Sequence, residues 1–314
     1  MTNSGPLCGA VEAGGTKFVC LIGTGPGDMR EQARFSTLSP EVTLRETLDF
    51  FRNAAARHGQ LDAIGIASFG PIDLRLDSPT YGYITSTPKP GWANVDIAGT
   101  IRDALAVPVG FDTDVNAAAL AEWRWGSAQG LDPFIYLTIG TGIGGGGLVN
   151  GRLLHGLVHP EMGHVRIPHD LDEDPFAGVC PFHGDCLEGL ASGPAMNARW
   201  LQPAEQLPDD HPGWALEARY LALALVNFIC ALSPERIVIG GGVMSKTLLY
   251  PLIRSQVLAL VNNYVRAPQL LEGIDNYIVP PWLGGHAGVL GALALAQQLV
   301  EESETAGPQG QPRH

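Results

Sequence analysis

The sequence predicts an α/β protein built from two related lobes, and three observations lead there. At 314 residues the chain exceeds the size at which a single core keeps growing, so two domains are the default. A pattern of strand, glycine-rich turn and strand occurs twice, near Gly14 and near Gly142. Between these runs, short apolar strands alternate with helical periodicities, as α/β architecture requires. We read the recurrence as a weak internal duplication that places two α/β lobes face to face.

The elements follow in order. Gly9 to Gly23 (GAVE, AGGT, KFVCLIG) reads as a hairpin around a glycine turn. From Glu41 to His58, apolar residues at Leu44, Leu48, Phe51 and Ala55 keep helical spacing. A strand over Ala63–Ala67 runs into the turn Ser68-Phe69-Gly70-Pro71, and residues 75–96 form a long loop rich in Pro, Gly, Ser and Thr. A helix over Ile97–Ala106 leads to a strand over Pro108–Phe111. Asp112–Asn116 then offers several helix-capping side chains before an alanine-rich helix that ends at Gly126. Phe134–Gly140 is a strand, Thr141–Gly147 a glycine turn, and Leu148-Val149 a second strand. Residues 168–188 look like a loop. A long apolar helix from about Trp214 to Leu232 precedes the strand Arg236–Ile239 and a third glycine run, Gly240–Gly242. The tail after Glu301 is polar and expected to be disordered.

Composition narrows the function. A net charge of −13 with only 19 Lys plus Arg works against a nucleic-acid partner, which needs concentrated positive charge. An acidic protein can still bind a nucleotide, because backbone NH groups and one magnesium ion offset phosphate locally. The N-terminus lacks the basic, then apolar, order of a signal peptide. The most apolar window, Leu216 to Leu232, is interrupted by Glu217, Arg219 and Asn227, so it reads as a core helix and no membrane association is expected. Five cysteines form no disulfide framework and suggest a reducing cytoplasm, with grouped cysteines available to a metal.

Three constellations carry chemistry. The turns Gly14-Gly15-Thr16-Lys17 and Thr141–Gly147 expose backbone NH groups to an anion and add hydroxyls and a cation. Neither has Walker or Rossmann spacing; read singly each is an ordinary tight turn, but in matching positions they suggest a nucleotide gripped between them. Asp114, just after a strand and at a helix start, could accept a proton from a hydroxyl, or simply cap the helix; Asp112 rivals it. Cys180, His183 and Cys186 lie three residues apart on a loop, which suits zinc. A fourth ligand is needed, and His164 is the best donor, with His155, His159 and His169 as alternatives. Such a closed site would be structural. Glu161 and Glu188 flank these ligands and could either receive polyol hydroxyls or lie solvated on the surface.

Together these segments resemble the ROK family (repressors, open reading frames and kinases). The runs that carry the resemblance are GAVEAGGTKFVCLIG, GIASFGPID, STPKPGWANVDI, FDTDVNAAALAEWRWG, YLTIGTGIGGGGLVNGRLLHG, HPEMGHVRI, GVCPFHGDCLEGLASGPA and IVIGGGVM, and they cover roughly residues 9–295. The resemblance implies a two-lobed actin-like ATPase (ribonuclease H-like) fold and an ATP-dependent hexose kinase of the fructokinase branch. It implies a cytoplasmic homodimer that uses magnesium and zinc, with nucleotide and sugar meeting in a cleft. Its first lobe would span residues 1–113 plus about 281–300, its second, with the zinc loop, 114–280, and 301–314 would be a flexible tail.

Residue by residue, the resemblance implies that Gly14, Gly15, Thr16 and Lys17 match the first phosphate motif, and Thr141, Gly142 and Gly144 the second. Gly240, Gly241, Gly242, Val243 and Met244 match the adenosine motif, and Gly193 and Pro194 a segment lining the nucleotide. Asp114 matches the catalytic base, and His164, Cys180, His183 and Cys186 the zinc ligands. Glu161, His164 and Glu188 match sugar-holding positions, as do Asn94 and Thr113. Three departures from the broader pattern resemble the fructokinase branch. Glu12 stands where most members have Asp and would hold magnesium with longer reach, Thr113 replaces an Asn, and CPFHGDC replaces a cysteine-richer zinc loop. Fructose is therefore the expected substrate; mannose, glucose, an N-acetylhexosamine, a non-catalytic sugar sensor and a sugar-independent ATPase are the alternatives.

Overall fold

A computed structural model describes residues 5–305. The chain divides into two compact units: the first holds the chain through Trp125, Gly156–His159 and everything from Gly285, and the second holds Gly126–His155 and Pro160–Gly284.

In the first unit, β1 (Cys8–Ala13), β2 (Lys17–Gly25) and β3 (Asp28–Ser36) form an antiparallel meander. Helix α1 (Pro40–His58) precedes β4 (Ala63–Ser68), which lies parallel to β1. Within the loop expected over residues 75–96, only the two-residue strands β5 (Tyr83–Ile84) and β6 (Val95–Asp96) pair. Helix α2 (Ile97–Leu105), β7 (Val109–Thr113) and α3 (Asp114–Trp125) follow. The sheet order is β3-β2-β1-β4-β7.

In the second unit, β8 (Phe134–Ile139), β9 (Ile143–Val149) and β10 (Arg152–Leu153) form another antiparallel meander. Helices α4 (Leu187–Ala191), α5 (Gly193–Trp200) and α6 (Gly213–Leu232) precede β11 (Arg236–Gly240), parallel to β8. Then come α7 (Leu249–Val261), the single turns α8 (Pro268–Leu271) and α9 (Ile274–Tyr277), and β12 (Ile278–Val279). The order β10-β9-β8-β11-β12 repeats that of the first sheet, antiparallel triplet first and parallel strands after. The chain then returns to the first unit as α10 (Ala287–Thr305).

Two sequence expectations need correction. The first unit extends past residue 113 because α3 packs against α10: a Cβ on Gly291 would lie 2.1 Å from the Ala117 carbonyl oxygen, and Arg124 donates to Gln297 at 3.2 Å and pairs with Glu301. Glycine also lets α10 lie on the sheet, since a Cβ on Gly65 would sit 1.8 Å from the Ala292 oxygen. As part of the same boundary correction, residues 301–305, expected in the tail, form the last turn of α10; the rest of that tail lies outside the described residues. The second correction is that residues 143–147 are strand, and only Gly140–Gly142 turn. Those glycines serve packing: a Cβ on Gly145 would be 2.7 Å from Leu137 Cδ2 and 2.6 Å from Met162 Sδ, and one on Gly147 2.3 Å from the Phe134 oxygen.

Helix α6 is long and apolar enough to cross a membrane, yet Trp214, Leu221, Leu225 and Ile229 are buried in the core of the second unit, as a core helix requires. It also buries Glu217 at 1% exposure, with Oε1 lacking a hydrogen-bond partner. Burial pushes this carboxyl well above its ordinary 4.5, against the opposing charge of Arg199. The folded state therefore keeps a proton that the unfolded chain has lost, so this group makes stability fall as pH rises above about 4.5. The Glu217→Gln variant is expected to gain stability relative to the wild type as pH rises from 4 to 8, with a slope of at most about 1.4 kcal/mol per pH unit. Denaturant unfolding across that range measures it, and a pH-independent difference would contradict the burial argument.

Candidate active site and metal centre

The first unit supplies a glycine turn and two carboxylates. Gly14 N donates to the Lys17 oxygen at 3.0 Å, closing the β1–β2 turn, and the Thr37 hydroxyl clasps it by donating to the Gly14 oxygen at 2.7 Å. A Cβ on Gly14 would sit 2.8 Å from the Lys17 oxygen, so the turn needs a glycine there; Gly15 has open space, and Thr16 and Lys17 are exposed. Glu12, at the end of β1, lies against the first turn of α10. A Cβ on Gly288 would be 2.7 Å from Glu12 Cδ, so that glycine makes room for the longer acid. Burial raises the Glu12 carboxyl, opposed by the charges of Lys17, Arg34 and His286.

The step from β7 to α3 separates the two rival aspartates. Asp112 is buried at 2%, and its Oδ1 accepts from Thr113 N at 2.7 Å and Asn116 Nδ2 at 3.0 Å, so it is a structural brace. Thr113 is also buried, and its Oγ1 caps α3 by accepting from Asn116 N at 3.1 Å. Asp114 is half-buried at the first residue of the helix, with Oδ1 accepting from Val115 N at 2.9 Å. Asn94, exposed and at φ 60°, is held by its own N–H to the Thr85 oxygen at 3.1 Å.

In the second unit the ends of β8 and β11 and the start of α5 converge. Gly193 N donates to the Gly140 oxygen at 2.8 Å, as Gly140 N does to the Gly142 oxygen at 2.8 Å. Gly241 turns at φ 98°, where a Cβ would strike the Ile139 oxygen at 2.3 Å. Val243 and Met244 are buried in the core, which leaves the main chain at Gly241-Gly242, with exposed Thr141 and Pro194, as the accessible surface. The run expected to meet adenosine thus presents backbone, a distinction that residue types alone do not make.

The same turn is tied to the expected sugar-holding residues. Glu188, in the first turn of α4, accepts from Ile143 N through Oε2 at 2.8 Å and lies within 3.9 Å of His164 Nε2 through Oε1. The single helical turn Met162–His164 is seated on β9, because Gly163 has no side chain to strike the Ile143 oxygen, 1.8 Å from its Cβ position. Glu161 is exposed just before that turn, and its carbonyl accepts from His164 N at 3.0 Å.

His164, Cys180, His183 and Cys186 come together with all four ligand atoms within 4.8 Å of one another. His164 Nδ1 lies 3.7 Å from Cys180 Sγ and 3.6 Å from Cys186 Sγ, and His183 Nδ1 lies 3.6 Å from Cys180 Sγ. A tetrahedral zinc with ordinary bond lengths has N···S edges of about 3.6 Å, so the donor set fits that ion. His164 uses Nδ1 toward the cluster and leaves Nε2 toward Glu188, so one ring links the thiols to that carboxylate. The loop is shaped by reciprocal bonds between Cys180 and Gly184 (2.9 and 3.1 Å) and by Gly178 and Gly184 at φ 82° and 65°. Of the alternative ligands, His169 is bonded elsewhere, His159 Nε2 accepts from Ile72 N at 3.3 Å in the first unit, and His155 lies outside the cluster.

The sequence profile of the ROK family matches residues 8–299. The chain belongs to the ROK family. Among its relatives, the fructokinase of Zymomonas mobilis subsp. mobilis is 44% identical over 302 residues, covering 94% of this chain and 98% of its own. The fructokinase of Lactococcus lactis subsp. cremoris is 43% identical over 292 residues, covering 93% and 97%. Among solved structures, a ROK glucokinase from Streptomyces griseus in complex with glucose and AMPPNP is 25% identical, with a TM-score of 0.69 over 93% of this chain and 99% of that one. These likenesses and the repeated sheet order give this ROK protein the actin-like ATPase fold.

Proposed function

We propose that the protein is an ATP-dependent fructokinase that transfers the γ-phosphoryl group of ATP to the 6-hydroxyl of fructose. The observation that carries this reading is the 43–44% identity to two fructokinases over nearly their whole lengths. Asp114 takes the proton of the attacking hydroxyl, and Glu161, His164, Glu188 and Asn94 receive the other sugar hydroxyls. Thr113 serves this step through its cap, which fixes the start of α3 and so the direction of Asp114. The turns at Gly14–Lys17 and Thr141–Gly144, with the backbone at Gly193-Pro194 and Gly241-Gly242, hold the nucleotide. Glu12 holds magnesium, which when bound neutralises phosphate oxygens during transfer. The four-residue cluster holds zinc, fastening His164 beside Glu188. We place the enzyme in the cytoplasm as a homodimer.

An ADP-release assay over a panel of hexoses, with the product's phosphate located by NMR, tests the reading. The highest kcat/KM is expected for fructose, with phosphate on O6. Faster turnover of glucose, mannose or an N-acetylhexosamine would reassign the substrate, sugar-independent ADP release would make the protein a hydrolase, and no release with any sugar would make it a sensor.

A further inference from the structure

Beside the Cys/His cluster, the second unit holds a chain of polar side chains, buried at His169, Asp174 and Arg199 and open at Asp185 and Arg166, that the proposed reaction does not use. The His169 side chain is 3% exposed, and each ring nitrogen faces an acceptor: Nε2 lies 2.9 Å from the Asp174 carbonyl oxygen and Nδ1 3.3 Å from Asp185 Oδ2. The Asp174 carboxylate, also buried, accepts from the Tyr220 hydroxyl at 2.6 Å and lies 3.2 Å from Arg199 Nη2. Arg199 in turn donates Nη1 to the Leu190 oxygen at 2.9 Å and lays its guanidinium 4.4 Å from the centre of the Phe176 ring. At the other end, Asp185 pairs with Arg166 at 2.6 Å, and Arg166 Nη1 donates to the His183 oxygen at 2.7 Å.

The contacts thus run without a gap from the loop carrying His183 and Cys186, through Asp185, His169 and Asp174, to α5 and α6. Burying ions costs several kcal/mol each unless they are paired in good geometry, so such a run constrains structure more than it adds stability. Groups that hydrogen-bond behind metal ligands commonly change metal affinity by about 10–100-fold when removed. Here the bracing acts on the ligand-bearing backbone: Asp185 immediately precedes Cys186, and Arg166 pairs with Cys186 in an isolated β-bridge.

We propose that Asp185 and His169 are positioning residues that set how tightly the Cys/His cluster retains its metal, by fixing the His183–Cys186 backbone against α5 and α6. This rests on the zinc reading above. The test uses the zinc-loaded full chain and follows zinc release to the chromogenic chelator 4-(2-pyridylazo)resorcinol, well below the melting temperature. Asp185→Ala is expected to release zinc about 10–100-fold faster. Asp185→Asn, which keeps an oxygen acceptor for His169, should fall between Ala and wild type. Glu173→Ala, which removes the exposed pair with Arg219, should release at the wild-type rate. The Asp185 side chain is about one-third exposed, so these variants are expected to fold; His169→Gln extends the series. Wild-type release from Asp185→Ala overturns the proposal alone, whereas a folded wild type carrying no zinc overturns it together with the metal reading.

Discussion

Replacing Asp114 by asparagine is expected to lower turnover by at least about 10²-fold while leaving sugar affinity nearly unchanged. The substitution keeps size and the Oδ1 acceptor for Val115 N, so the helix start survives. What it removes is the capacity to take a proton. Asp112 cannot take over, because its Oδ1 already holds Thr113 N and Asn116 Nδ2 and the residue is buried. Steady-state kinetics with fructose and ATP, alongside sugar titration by calorimetry, separates the two effects: kcat falls and the sugar Kd holds. A variant with wild-type turnover would remove Asp114 from the role of base.

Disrupting the metal cluster should produce the other large effect. Cys180→Ser, or exhaustive chelation, is expected to lower the melting temperature and weaken sugar binding together. Structural zinc in small sites contributes apparent binding energies on the order of 10 kcal/mol, so the loop should not keep its shape without it. In the absence of metal the thiol of Cys186 is a poor anion, since burial and then the neighbouring Cys180 push it up to about 11. The coupling to sugar follows from His164, whose Nδ1 faces the thiols and whose Nε2 faces Glu188. Elemental analysis should return about one zinc per folded chain. A metal-free protein with full stability and sugar affinity would discredit the centre.

Much of this was legible in the sequence because the relevant signals are local. The glycine turns, the CPFHGDC spacing and the strand-to-helix step at Asp114 each announce themselves within a dozen residues. His164 stands sixteen residues before Cys180, and although it is the best donor from the residues alone, nothing in the spacing excludes His155, His159 or His169; the resemblance points to His164 as well. Residues 143–147 read as a turn because glycine ordinarily breaks strands, and only the closeness of Leu137, Met162 and the Phe134 carbonyl explains why a strand needs them there. The extent of the first unit was hidden for a related reason, since α3 and α10 are more than 160 residues apart and meet through the small surface of Gly291. The run from Asp185 to Arg199 gave no signal at all. Its members are common polar residues whose meaning lies in burial, which periodicity does not report for a loop.

Glu188 has a consequence for anyone who would re-engineer this protein. One of its oxygens secures the main chain after the Thr141-Gly142 turn, proposed to hold the nucleotide, and the other looks toward the His164 imidazole, proposed to receive the sugar. A library that varies position 188 to broaden hexose choice will therefore also shift ATP affinity, and selections for new substrates are better directed to Glu161 or Asn94. In the proposed enzyme, the hold on ATP and the choice of hexose would meet in the same carboxylate.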